Sequence, residues 1–372
     1  MIPVFKPCYG KEELEALKEP FESGWIGLGP KTKEFEEKFS DYIGVKYSIA
    51  TNSCTASLHL AMQVMGIKNY EVITTPLTFV STNHAIIYNG GIPVFSDICP
   101  DSLNIDPVQI EKLFTNKTKA IVTVHYGGYP CNMSKIIEIA EKNNLVIIED
   151  VAHGCGGEYN GKKLGSLGDI GCFSFHAVKN LATGDGGMIT TNDSEIYNRL
   201  LKLRWLGITK DTWAREDKDK NYSWYYDIEE VGYKYHMNDI TAALGLVQLS
   251  KLDKMNSRRN EITDKYNKGF ADLDWIETPM LKSHSKSACH NYVIKLDKRD
   301  ELNFFLKERG ISTSVHYIPN NHYKMYKTCR GETPVCEKVW KKLLTLPLFP
   351  DLKDSEVNMI IEQVKLFGKE KL

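Results

Sequence analysis

Apolar runs of strand length alternate with helical patterns through the first half of the chain, and this alternation constrains the fold more than any other feature. Val45–Thr51, Glu71–Pro76, Ile92–Ser96, Ala120–His125 and Leu145–Glu149 read as strands. Helices are predicted over Thr55–Met65, Ser81–Tyr88 and Met133–Asn143. Gly171–Phe175 and Gly187–Thr191 follow as strands, with a helix over Ser194–Leu206. The pattern predicts an α/β fold, a three-layer α/β/α sandwich around a mostly parallel mixed sheet.

After Leu206 the period is lost. Gly207–Tyr235 carries the charged run Arg215–Lys220 and the aromatics Trp213, Tyr222, Trp224, Tyr225 and Tyr226. An irregular stretch of that length is usually functional or disordered, and the aromatics favour function. From Asn238 the chain turns helical, with Lys251–Phe270 as a connector. Strands Asn291–Leu296 and Ile311–His316 and helices Arg299–Arg309, Pro334–Leu344 and Ser355–Phe367 then describe a smaller α/β domain. The expected division is 1–250, including the N-terminal segment, and 251–372.

Composition removes several classes of function. Lys+Arg is 47 against Asp+Glu 48, so no global field draws the chain to nucleic acid or to an anionic membrane. No apolar stretch approaches the length of a membrane span. The N-terminal MIPVFKPCYGKEELEALKEPF has no basic segment followed by an apolar one, so it does not read as a signal peptide. Nine scattered cysteines without a C-x-x-C pair make a poor disulfide framework and a poor zinc site. Reduced thiols in a cytoplasmic protein are the expectation, with no metal.

Two positions carry the chemistry. Asp150 ends the apolar run LVIIED, where open α/β sheets bind ligands, although a carboxylate there could equally cap the next turn. Lys179 lies between GCFSFH and the glycine turn TGDGG. Taken together, Asp150, Ser174 and Lys179 supply what pyridoxal 5'-phosphate (PLP) needs: a Schiff-base amine, a partner for the pyridine nitrogen and a hydroxyl for the phosphate. Asn52–Ala56, before a helix, could complete a phosphate cup from backbone N–H groups or could simply cap that helix.

From about Ser23 to Pro350 the chain resembles the DegT-type sugar-nucleotide aminotransferases, within the fold-type I PLP enzymes. The motifs are NSCTASLHLA, TPLTFVSTNHAI, EDVAHGCGGEYNGKKLGSLGDIGCFSFHAVKNLATGDGGMITTND, GYKYHMNDITAALG and TSVHYIPNNHY. The resemblance implies that Lys179 holds the cofactor and that Asp150 partners its ring nitrogen. It places Phe79 against the ring, and Cys54, Thr55 and Ser174 at the phosphate. His153 stands where the family commonly has Gln, facing the phenolic oxygen. Lys234 and His236 stand in a motif that many members write G-Y-N-Y-R, whose Asn reaches the neighbouring subunit's phosphate. Trp25, Arg204, His316, Tyr317 and His322 are the implied substrate-side candidates. The implied activity is ping-pong transfer of an amino group from glutamate to a nucleotide-linked keto sugar, a 4-keto-6-deoxyhexose. The product would be an amino sugar for lipopolysaccharide or other surface glycoconjugates. The implied assembly is a homodimer with its active sites at the interface. A PLP-dependent sugar dehydratase and a non-catalytic cofactor-binding regulator are the alternatives. Some relatives that act as dehydratases replace the lysine by His; here Lys179 is retained.

Overall fold

The computed structural model describes residues 1–209, 226–281 and 284–371. Trp213, Tyr222, Trp224, Tyr225 and the run Arg215–Lys220 lie outside the described residues.

Seven strands form the central sheet: β1 (Tyr47–Thr51), β2 (Glu71–Thr74), β3 (Ile92–Phe95), β4 (Thr118–Val124), β5 (Val146–Asp150), β6 (Ile170–Ser174) and β7 (Gly187–Thr191). Their order is β1-β7-β6-β5-β4-β2-β3. Five run parallel from β6 to β3, while β7 is antiparallel to both of its neighbours. Side chains of a strand alternate between faces, and both faces are apolar. Ile49, Val72, Val122, Ile148, Cys172 and Ile189 pack against helices Cys54–Met65, Val80–Tyr88 and Ser194–Leu203. The intervening Ala50, Ile73, Ile121, Ile147, Phe173 and Met188 pack on the other side, against helices Pro30–Ile43 and Met133–Asn143. The expected three layers are there.

Helix Pro30–Ile43 has no side-chain cap of its own. Its orphan N–H groups are taken by Asp239, which accepts from Gly29 N (3.0 Å), Lys31 N (3.0 Å) and Thr32 N (2.9 Å). A carboxylate at a helix N-terminus also meets the positive end of the dipole.

Asp239 itself begins a single helix, Asp239–Phe270, that continues through the expected division at residue 250. Ala242 and Leu252 of this helix pack with Phe35 and Phe175, whereas Ile262, Tyr266 and Phe270 join a second core with Tyr292, Leu306 and Phe367. Ile2 belongs to that second core, so the first residues of the chain pack against its last third.

Three elements differ from the sequence reading. Ile311–His316 is not a strand; it touches its neighbours through single bridges, Ile2 to Ile311 and Ser314 to Thr345. The helix from Pro334 stops at Val339, and Leu343–Leu346 is a strand paired antiparallel with Tyr292–Lys295. A short, fully buried apolar run does not distinguish strand from helix by periodicity. Helix Ser194–Leu203 ends three residues early, where Leu206 and Gly207 take positive φ. Among the described residues no helix is long and apolar enough to cross a membrane.

Candidate active site

Strand β5 delivers two adjacent carboxylates to opposite faces of the sheet, and their surroundings give them different work. Glu149 is wholly buried and accepts from Leu167 N (2.8 Å), Gly168 N (2.7 Å), Gly165 N (3.1 Å) and His125 Nε2 (3.0 Å). Cys131 N–H donates to His125 Nδ1 (3.1 Å), so the ring proton sits on Nε2 and goes to Glu149. Burial opposes ionisation, but these donors hold the Glu149 carboxyl below the ordinary range. Glu149 thus fixes the Gly165–Gly168 turn.

Asp150 faces a cavity of about 350 Å³. It is 3% exposed and accepts from Thr82 Oγ1 at 2.7 Å and from Ala152 N at 3.1 Å. Burial pushes its carboxyl up, partly offset by the Thr82 hydroxyl. Lys179 lines the same cavity. Burial lowers its amine to about 8, against the pull of Cys54 and Asp150. The loop that presents it is pinned by Lys179 N to His176 O (2.8 Å) and by Thr183 N to Phe175 O (2.8 Å).

At one end of the cavity, Ser53 caps helix Cys54–Met65 by accepting from Ala56 N (3.1 Å). Cys54, Thr55 and Ser174 line the cavity there. The Cys54 thiol turns inward, 3.8 Å from Cys172 O and 4.0 Å from Asp150 Oδ1, which leaves the backbone amides for an anion. Gly187 closes under this turn: a Cβ on it would stand 2.5 Å from Ser53 C and 2.8 Å from Cys54 N. Phe79 lies at the rim, 58% exposed.

A column of rings forms another wall. Phe5 stacks on His290 (5.2 Å, 2°), His290 packs tilted against His153 (4.4 Å, 32°), and His153 stacks on Tyr317 (6.1 Å, 21°). Tyr317 Oη lies 3.0 Å from His153 Nε2. His316 also lines the cavity and contacts Thr345 Oγ1 through Nδ1 (2.8 Å). Burial drives His153 and His290 well below the usual histidine range and His316 down to about 4, so all three are neutral at pH 7.

Lys179, Asp150, Cys54, Thr55, Phe79, His153, Ser174, His316 and Tyr317 therefore share one cavity. Five anticipated residues sit elsewhere. Arg204 is 4% exposed, paired with Glu36 and bonded to Ala50 O (3.1 Å), so it is a buried structural cation. Trp25 donates Nε1–H to Leu28 O (3.1 Å) within its own loop. His322 pairs with Glu337 (2.7 Å) and packs edge-on to Trp340. Lys234 is exposed, with Nζ 3.5 Å from the centroid of the Trp205 ring, and His236 packs edge-on to that same ring. Sequence reasoning missed Thr82, Phe5 and His290. Thr82 had a signal, three residues after Phe79 on the helix that faces Asp150; Phe5 and His290 had none locally.

These groups fit PLP. An amine of lowered basicity, a buried carboxylate, a helix N-terminus with a glycine cradle and an exposed aromatic rim surround one cavity of suitable size.

Comparisons with known proteins agree. SpsC of Bacillus subtilis, a spore coat polysaccharide biosynthesis protein, is 43% identical over 98% of this chain and 96% of its own. Spr1654 of Streptococcus pneumoniae, in a PMP form, superposes with a TM-score of 0.94 at 32% identity, covering 100% of both chains; it is also known in a PLP form. PseC of Helicobacter pylori, an aminotransferase involved in the biosynthesis of pseudoaminic acid, matches with a TM-score of 0.91 at 30% identity over 99% of each chain. The family model for the DegT/DnrJ/EryC1/StrS aminotransferases matches residues 7–365. The chain, with its PLP-shaped cavity, is a PLP-dependent aminotransferase and belongs to the DegT/DnrJ/EryC1/StrS family.

Proposed function

We propose that this enzyme transfers the amino group of glutamate to the keto carbon of a nucleotide-linked keto sugar, a 4-keto-6-deoxyhexose. The observation that carries this reading is the pairing of Lys179 and Asp150 in one cavity, in a chain whose relatives serve polysaccharide and pseudoaminic acid biosynthesis. The amino sugar would enter lipopolysaccharide or another surface glycoconjugate. Retention of Lys179 weighs against a dehydratase, and the complete cofactor set weighs against a non-catalytic regulator.

Bound PLP supplies an aldehyde carbon and an electron-withdrawing ring through which an amino group is taken up and passed on. Lys179 Nζ would hold the cofactor and, when free, would take up the proton from the donor's α-carbon. Asp150 keeps the ring nitrogen protonated, and Thr82 orients Asp150. Cys54 and Thr55 amides with Ser174 bind the phosphate, Phe79 covers the ring, and His153 faces the phenolic edge. His316 would stand on the sugar side.

The same reading divides the chain near residue 250 and makes a cytoplasmic homodimer. None of the nine cysteines forms a disulfide, which suits a reducing compartment. Leu206, Tyr226, Ile228 and Val231 are exposed apolar residues beside Lys234, a surface suited to a second copy of the chain. Lys234 would then reach the partner's phosphate. Mixing Lys179→Ala chains with Lys234→Ala chains should restore part of the activity through one native site per heterodimer. An active monomer in sedimentation would exclude this arrangement. The substrate is tested by mass spectrometry of products from UDP-, GDP- and dTDP-linked keto sugars with glutamate. Absence of amination across that panel would overturn the assignment.

A further inference from the structure

The proton inventory around His153 leads beyond that assignment. Gly127 N–H donates to His153 Nδ1 (3.3 Å), so this nitrogen carries a lone pair. A neutral imidazole has a single N–H, and here it must sit on Nε2. Nε2 lies 3.0 Å from Tyr317 Oη. The ring donates and the tyrosine oxygen accepts. The hydroxyl proton of Tyr317 is then left over, with no protein acceptor among the described residues.

Where that proton goes follows from the substituent order of PLP. The ring nitrogen and the aldehyde carbon are opposite each other, and the phosphate arm and the phenolic oxygen flank the aldehyde on its two sides. With Asp150 at the nitrogen, Lys179 at the aldehyde and the helix N-terminus at Cys54 on the phosphate arm, the phenolic oxygen falls on the remaining wall. The polar groups of that wall are His153 and Tyr317, with His290 and His316 beside them.

We propose that Tyr317 is the hydrogen-bond donor to the phenolic oxygen of the cofactor, with His153 as the residue that positions it. This inference rests on the function proposed above. A glutamine at position 153 would bring two N–H bonds and could serve both neighbours; a neutral histidine brings one, already engaged by Tyr317. Burial raises Tyr317 above the ordinary phenol range, so the proton it would donate is held at working pH. The titratable groups facing the pair are Lys179, Asp150, His290, His316 and Tyr126.

A donor at the phenolic oxygen stabilises its anionic form and weakens its hold on the proton of the neighbouring lysine–cofactor linkage. Removing the donor should raise the apparent pKa of the cofactor's visible absorption band. The experiment titrates that band in the PLP-loaded enzyme, in Tyr317→Phe, in His153→Gln and in the double variant, with thermal midpoints measured alongside. Tyr317→Phe is expected to raise the pKa by about one unit or more, as loss of a bond to a charged group does. In the His153→Gln background the same substitution should shift it by less than half as much, because the amide supplies a second donor. An unchanged pKa in Tyr317→Phe, or an equal shift in both backgrounds, overturns the proposal. If the unmodified protein takes up PLP without aminating any sugar, the substrate assignment fails while the Tyr317 result still stands or falls on the spectrum. If it shows no PLP band at all, both fail.

Discussion

Thr82 Oγ1 stands 2.7 Å from Asp150 Oδ2 and is itself 2.9 Å from Thr78 Oγ1, so the carboxylate has a short hydroxyl relay behind it. With Ala152 N on the other oxygen, the carboxylate is fixed in one rotamer before a ring arrives.

Thr82→Val keeps the shape and deletes the donor. A hydrogen bond to a charged group is worth about 1.5–3 kcal/mol, so cofactor affinity should fall roughly 10- to 100-fold. Thr82→Ser should recover most of it. Equilibrium dialysis of PLP against the three proteins measures the effect; equal affinity in Thr82→Val would mean that the hydroxyl does not support Asp150.

Lys179 gives a pH dependence with a defined sign. Its amine titrates at about 8 against an ordinary 10.5, because burial disfavours the ammonium. In protein freed of cofactor, modification of Lys179 by an amine reagent should therefore rise through a midpoint near 8, well before the surface lysines react. The unfolded chain binds the extra proton between about 8 and 10.5, so this group's contribution to folding stability rises with pH across that window. Peptide mapping after borohydride reduction should place the pyridoxyl label on Lys179.

Gly187→Ala should act on the phosphate end alone. The added methyl would press on Ser53 and Cys54 backbone atoms at 2.5 and 2.8 Å, and backbone cannot step aside cheaply. Displacing the helix N-terminus by a fraction of an ångström to about 1 Å is expected to lower kcat by up to roughly 100-fold. Thermal stability should change far less than phosphate affinity, which competition with inorganic phosphate would report.

Arg204 separates stability from substrate binding. Removing one partner of a buried ion pair costs about 3–5 kcal/mol, because the other charge is stranded. Arg204→Met should lower the denaturation midpoint sharply and leave the sugar KM of the surviving enzyme unchanged. Replacing Glu36 by Leu in the same chain should recover much of the loss. A raised KM with normal stability would return Arg204 to the substrate.

The layered fold was legible because the sheet is buried on both faces, which writes near-continuous apolar strands into the sequence. That Asp150 and Lys179 come to one cavity was legible for a related reason: each is a charged residue at the end of such a strand or in the loop that follows one. Leu343–Leu346 was not, since its first two leucines continue the pattern of the helix before them and the run is too short to show a period of its own. Arg204 was misplaced because an arginine at a helix end gives no hint of Glu36, 168 positions away. His290 and Phe5 have no local signature, since each acquires its place only by stacking on rings contributed by other parts of the chain.

The ring column also sets an order of events during folding. Phe5 stacks on His290, far along the chain, and the arm that carries it is tied down by Ile311 and Leu348. The sheet with Asp150 and Lys179 can form long before that wall exists. Contacts of such sequence separation close late and slowly. A folding chain therefore passes through a stage in which the cofactor-binding floor is built and open to solvent, with the segment that carries Phe5 still unattached. Docking of that segment on His290, rather than completion of the sheet, closes this wall of the cavity.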